Sequence, residues 1–97
     1  MKKYRISRQA LEDIDNIWLY TLQNWSVNQA NRYYRLIYQE IEYILEDFDS
    51  GKDIGKIKSG YRQARVKSHL IIYKKADDNV LEIVRVLHQA MDIPNRL

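Results

Sequence analysis

Apolar residues in the first half of the chain recur every three or four positions. They fall at Ala10, Leu11, Ile14, Ile17, Trp18, Leu22 and Trp25. At about 100° per residue they occupy one arc of about 140°, with Glu12, Asp15 and Asn16 outside it or at its edge. This predicts a helix over roughly residues 8–24, with Ser7 as the N-cap that satisfies an orphan backbone N–H. Ser26-Val27-Asn28-Gln29 reads as a capping box, so a second helix starts almost at once. Its seats at Ala30, Tyr33, Tyr34, Ile37, Ile41, Ile44 and Phe48 sustain about five turns, a helix of about 20 residues and ~30 Å. Tyr38 and Leu45 widen that stripe on one side. So short a connection permits only an antiparallel hairpin.

The period then changes from 3.6 to 2. Gly51, Gly55 and Gly60 all fall in or beside Ser50–Ser59, which reads as one lysine-rich loop. Tyr61–Val66 reads as a strand, Lys67-Ser68 as a turn and His69–Lys75 as a second strand. Asp77-Asp78-Asn79 signals another turn before Val80–His88, a third strand rich in β-branched residues. A short strand over Lys3–Ile6 precedes the helices, and Pro94 is expected to stop regular structure in the tail. The order is β-α-α-β-β-β. The fold class is α+β: a two-helix hairpin packed on one face of a mainly antiparallel, four-stranded sheet, in a single domain over residues 1–97. The neighbour of the first strand is left open.

Composition narrows the setting. At 97 residues, with 45% hydrophobic and 30% charged positions, the chain is globular and has one core. The apolar run Leu70-Ile71-Ile72-Tyr73 is far too short to cross a bilayer. Met1-Lys2-Lys3-Tyr4-Arg5 has no apolar signal character. Cysteine is absent, which excludes disulfides and zinc–thiolate sites and fits a reducing cytosol. The net charge of +3 is uneven. Residues 1–49 carry six basic and eight acidic side chains, whereas residues 50–97 carry ten and five. Lys52 to Lys75 is the densest basic stretch, suited to phosphate or an acidic protein surface, or simply to a solvated face.

Candidate chemistry is sparse. Metal-ligand spacings, glycine-rich phosphate loops and a nucleophile elbow are missing. His69 opens one strand and His88 closes another, and either is more often a hydrogen-bonded residue than a catalyst. Arg62, Arg65 and Arg85 lie on strands and could share an open face with a histidine, an arrangement that suits phosphate binding or acid–base cleavage of RNA. Arg85 alternates with Ile83 and Leu87, so it is equally readable as half-buried and paired with Glu82 or an acidic helix residue. Glu12, Asp13 and Asp15 favour the helix dipole and converge with no second acidic cluster. The arc from Tyr34 through Tyr38 to Leu45 is more apolar surface than a small protein easily covers, which reads as a docking groove for a partner helix or extended segment.

The ordered set Tyr4-Arg5-Ile6-Ser7, Ala10, Asp13-Ile14, Ile17-Trp18, Trp25, Gln29-Ala30 and Tyr33 or Tyr34 continues through Gly60-Tyr61-Arg62 and Ser68-His69-Leu70-Ile71-Ile72-Tyr73. It ends with Ile83-Val84-Arg85-Val86-Leu87-His88 and Met91-Asp92. End to end, the chain resembles the ParE toxins of bacterial toxin–antitoxin systems, within the RelE/ParE superfamily. The resemblance implies a cytoplasmic toxin that needs no cofactor or metal, acts in plasmid stabilization and forms a hetero-oligomer with a cognate ParD-like antitoxin. It implies that the toxin binds DNA gyrase or the gyrase–DNA complex and blocks replication without chemistry of its own. Arg62, Arg65, Arg85, His88 and Arg96 would then contact the target, and Trp18, Tyr34, Tyr38 and Leu45 the antitoxin. The sister RelE branch cuts messenger RNA on the ribosome using strand-borne Lys and Arg and commonly a C-terminal Tyr. Here no Tyr follows Tyr73, which favours the ParE reading. The alternatives are a nuclease using His88, Arg65 and Arg85, or a non-toxic antitoxin-binding module.

Overall fold

The computed structural model describes residues 3–97, so the reading of Met1 and Lys2 lies outside the described residues. In chain order the elements are β1 (Tyr4–Ile6), α1 (Arg8–Asn24), α2 (Val27–Glu46), β2 (Lys52–Asp53), β3 (Tyr61–Val66), β4 (His69–Lys75), β5 (Leu81–His88) and α3 (Ile93–Arg96). Both helix starts follow the serine signals. The Ser7 hydroxyl accepts from the Ala10 N–H at 3.0 Å and the Ser26 hydroxyl from the Gln29 N–H at 3.1 Å.

The sheet order is β1-β5-β4-β3-β2. β1 runs parallel to β5, and the other neighbours are antiparallel. The sheet thus has five strands rather than the four expected. The extra one, β2, is only Lys52–Asp53 within the glycine-rich loop, paired with Gln63 and Arg62. A two-residue exposed strand has no alternation to reveal it. The tail also departs from expectation. Pro94 sits in the first turn of α3 rather than ending structure, because a helix start is where a missing N–H costs nothing.

Each face of the sheet has its own apolar layer. On the helix side, Ala10 and Ile14 of α1 and Ile37, Ile41 and Ile44 of α2 meet Ala64, Val66, Ile71, Tyr73, Leu81, Ile83 and Val86. On the other side, Ile54, Tyr61, Leu70, Ile72 and Leu87 are covered partly by Ile93 and Leu97 of the tail. The run Leu70–Tyr73 is buried because its residues alternate between these two layers.

The α1 stripe divides. Ala10, Ile14, Ile17 and Thr21 turn to the sheet, whereas Leu11 stays 44% and Trp25 74% exposed. Trp25, expected on the buried arc, lies at the helix C-cap, where the chain turns away from the layer. Thr21 takes a core seat by donating its hydroxyl to the Ile17 carbonyl at 2.8 Å.

Strict alternation along β5 would place Arg85 in the helix-side layer with Leu81 and Ile83. A register shift prevents it. Tyr73 opposes Ile83 but Ile72 opposes Arg85, so Val84 is an extra, bulged residue. Beyond the bulge Val86 takes the helix-side seat, and the Arg85 guanidinium is free to turn to the sheet edge.

Tyr73, fully buried, fixes the far end of the sheet. Its hydroxyl donates to the Phe48 carbonyl at 2.8 Å and accepts from the Gly51 N–H at 3.0 Å. A Cβ at residue 51 would collide with the Tyr73 hydroxyl and lie 2.8 Å from the Gln63 carbonyl oxygen. Gly51→Ala should therefore cost about 1–3 kcal/mol in denaturant unfolding. Gly55→Ala should cost clearly less, because the close atom there is the flexible Asp53 carboxylate. Equal losses at the two positions would show that this close approach does not matter.

Candidate functional site

β1 ends at Ile6, opposite Ile83, while β5 continues to His88. Past Ile83 the outer edge of β5 has no strand beside it, and α1 supplies the missing partners. The Ser7 N–H donates to the Ile83 carbonyl at 2.9 Å and the Ser7 hydroxyl to the Val84 carbonyl at 2.8 Å. The Asp13 carboxylate accepts from the Val86 N–H at 3.0 Å, from Arg85 Nε at 2.8 Å and from Arg85 Nη2 at 2.9 Å. Only 14–16% of either side chain is exposed. The bidentate bond to Asp13 raises the Arg85 pKa further above its ordinary range. Arg85 also donates to the Arg96 carbonyl at 3.4 Å, joining the tail to the same point.

Beside this joint lies a cleft of about 910 Å³ between the tip of the helical hairpin and the end of the sheet. Tyr20, Trp25 and Arg32 border it from the helices, and Lys67, His69 and His88 from the strands. His69 and His88 are directly opposite in the β4–β5 pairing, with rings 5.2 Å apart and nearly perpendicular.

The hydrogen bonds assign each ring a role. The Tyr33 hydroxyl lies 2.9 Å from the Val66 carbonyl oxygen and 2.6 Å from His69 Nδ1. It has one proton and a carbonyl can only accept, so the hydroxyl donates to Val66 and accepts from His69 Nδ1–H. His69 Nε2 is left as an acceptor. His88 Nδ1 accepts from the Ala90 N–H at 3.0 Å, so a neutral His88 carries its proton on Nε2 and is a donor. Burial, and then the neighbouring His88, lower the His69 pKa to about 4, which keeps that imidazole uncharged at neutral pH.

The sequence-selected residues do not form one cluster. Arg85 is bound by an acidic helix residue, as one of its two readings allowed, and is largely buried. Arg62 donates to the Gly51 carbonyl at 2.7 Å and faces Asp49, bracing β3 against the preceding turn. Arg65, three residues on along the strand, points to the opposite face and is exposed, without a hydrogen bond or ion pair among the described residues. Arg96 is exposed on α3. Of that set, only His88 lines the cleft. The sequence reading assigned Tyr33 to the core, Asp13 to the helix dipole and Lys67 to a turn within the basic stretch, and did not single out Arg32. The β4–β5 pairing brings the two histidines together, and packing of the hairpin on the sheet brings Asp13, Arg32 and Tyr33 to the same cleft.

A second surface runs along the outside of the hairpin. Trp18, half-buried, donates from Nε1 to Asn31 at 3.0 Å. Tyr34 is 41% exposed and its ring stacks at a tilt on Tyr38, with centroids 4.8 Å apart. Tyr38 and Leu45 pack half-buried at the edge of the core. Burial raises the Tyr38 hydroxyl pKa, so the phenol stays neutral.

The family model for the ParE toxin of type II toxin–antitoxin systems, parDE, matches residues 4–93. The chain belongs to the ParE toxin family. It is 41% identical over 92 residues to Toxin ParE1 of Caulobacter vibrioides, covering 95% of this chain and 94% of that one. It is 32% identical to Toxin ParE1 of Mycobacterium tuberculosis over 98% of this chain and 97% of that one. A solved chromosomal ParDE system from P. aeruginosa has the same fold, with a TM-score of 0.77 at 14% identity over 91% of this chain and 96% of that one. Among the described residues of this ParE-family chain, no helix is long and apolar enough to cross a membrane.

Two predictions follow from the joint and the histidines. Asp13→Ala should cost about 3 kcal/mol in denaturant unfolding, because it leaves Arg85 and the Val86 N–H without their acceptor. Arg5→Ala, which breaks an equally short but exposed pair with Asp78, should scarcely move the unfolding midpoint. His69 in the folded protein binds its proton less readily than an unfolded histidine of pKa 6.5. The unfolded chain is therefore protonated first, and stability falls as pH drops from 6.5 towards about 4. Melting curves across that window should flatten in His69→Asn, and an unchanged slope would remove this role.

Proposed function

We propose that this chain is the toxin of a type II toxin–antitoxin pair, that it inhibits DNA gyrase by binding, and that a ParD-type antitoxin neutralises it. Membership of the ParE family over nearly the whole chain carries this reading. Two structural facts support it. The hairpin leaves an apolar stripe at Trp18, Tyr34, Tyr38 and Leu45, a seat for an amphipathic helix of an antitoxin. The arginine that a nuclease reading needs free, Arg85, is held by Asp13. Arg65, Arg96 and His88 are then the accessible target contacts, while Arg62 and Arg85 shape the surface that carries them.

A ribosome-dependent mRNA endonuclease is the second reading, favoured by one observation: His69 and His88 present an acceptor and a donor nitrogen side by side. Supercoiling assays with purified gyrase separate the two. The antitoxin-free protein should block supercoiling and trap cleaved DNA, and toeprints on translating ribosomes should show uncut message. A Trp18→Ala, Tyr34→Ala double variant should still inhibit gyrase but bind the antitoxin at least about tenfold more weakly. Gyrase that supercoils normally beside active toxin would remove the proposal.

A further inference from the structure

The cleft at the hairpin tip is chemically distinct from the apolar stripe outside it. It has two cations on its border, Arg32 and Lys67, and neither has a carboxylate partner among the described residues. Its one lining carboxylate, Asp13, is already neutralised by Arg85. The rings of Tyr20 and Trp25, 63% and 74% exposed, stand on the same border. His69 and His88 supply one acceptor and one donor nitrogen.

Lys67 adds an independent observation. It is the first residue of the two-residue turn between β3 and β4, with φ at 54°, in the left-handed region. Glycine or asparagine suits that conformation, and among the described residues the other non-glycine residue held there is Asn79. Lysine gains nothing for the turn. The strain is sensible if the ammonium is needed at the cleft.

We propose that this cleft binds a nucleotide, with Lys67 and Arg32 on the phosphate, Trp25 and Tyr20 against the base, and His69 and His88 hydrogen-bonding its polar edge. Cations take the anionic group, and an exposed indole or phenol ring stacks on a planar base whatever its sequence. The site goes beyond the gyrase reading and shares only His88 with the contacts assigned there. The same chemistry fits a free mononucleotide and one residue of a single strand.

Titration of the full chain with 5′-AMP, a short single-stranded oligonucleotide, the matching duplex and inorganic phosphate, followed by calorimetry, tests the proposal. AMP or the single strand should saturate the protein below about 1 mM. Similar affinities would identify a free nucleotide as the source, and a much tighter oligonucleotide would identify a strand. Lys67→Gly relieves the left-handed strain, so its melting temperature should hold or rise while nucleotide affinity falls at least about tenfold. Arg32→Gln should weaken binding comparably, and Trp25→Ala should weaken AMP more than phosphate. No saturation by AMP or the single strand overturns the site. So do phosphate or the duplex binding as tightly as either of them, or unchanged affinity in both Lys67→Gly and Arg32→Gln.

Discussion

The Asp13 carboxylate sits where a β-strand outlasts its neighbour. Main-chain groups left bare at such an edge and then covered by a helix would be buried without partners, a cost of about 1–3 kcal/mol for each group. Asp13 answers one of them at Val86 and uses its remaining acceptor capacity on Arg85. Ser7 does the same for Ile83 and Val84. Together they fasten the first two turns of α1 along the edge of β5. The position of the hairpin, and so of both surfaces it borders, follows from that seam. A mere ion pair would not suffice, since the carboxylate replaces a missing strand as well as balancing a charge.

The bulge at Val84 makes the seam possible. It ends the alternation that would bury Arg85 with Ile83, and gives the inward seat to Val86. The guanidinium then reaches both Asp13 on α1 and the Arg96 carbonyl on α3. One side chain thus links the helix layer, the sheet and the tail that covers the opposite face with Ile93 and Leu97. A chain of 97 residues has few ways to close both faces of a five-stranded sheet, and a one-turn helix started by Ile93-Pro94 is an economical one.

Much of this architecture was legible from periodicity. The serine caps placed both helices, and the change of period placed β3, β4 and β5. What the sequence could not carry was anything set by pairing between distant strands. β2 has two exposed residues and no pattern. The bulge is invisible because Arg85 fits the alternation on either side of it. Asp13 looked like an ordinary first-half helix acid, since its partners lie more than seventy residues away. The candidate site suffered most. His69 and His88 meet only through the β4–β5 register, and Tyr33, sitting at core spacing on α2, holds His69 with its hydroxyl. The Tyr34 and Tyr38 stripe was easier to see, because surplus apolar width on a single helix is local information.

The cleft itself is a consequence of unequal lengths. From its anchor at Ser7, whose N–H is bonded to the Ile83 carbonyl, α1 runs 17 residues, about 25 Å at the helical rise. From Ile83 to His88 the strand covers only about 17 Å. With the two fastened at one end, the surplus length of the helix carries Trp25 and the start of α2 to the border of the cleft. Tight capping by Ser26 turns the chain back at once, so Arg32 borders the same cleft as the β3–β4 turn, and Tyr33 reaches that turn directly through its hydroxyl. The same length mismatch that prevents Trp25 from reaching the core therefore places its ring on the border of the cleft that the two histidines line. The residues least useful to the core are those left to meet a ligand there.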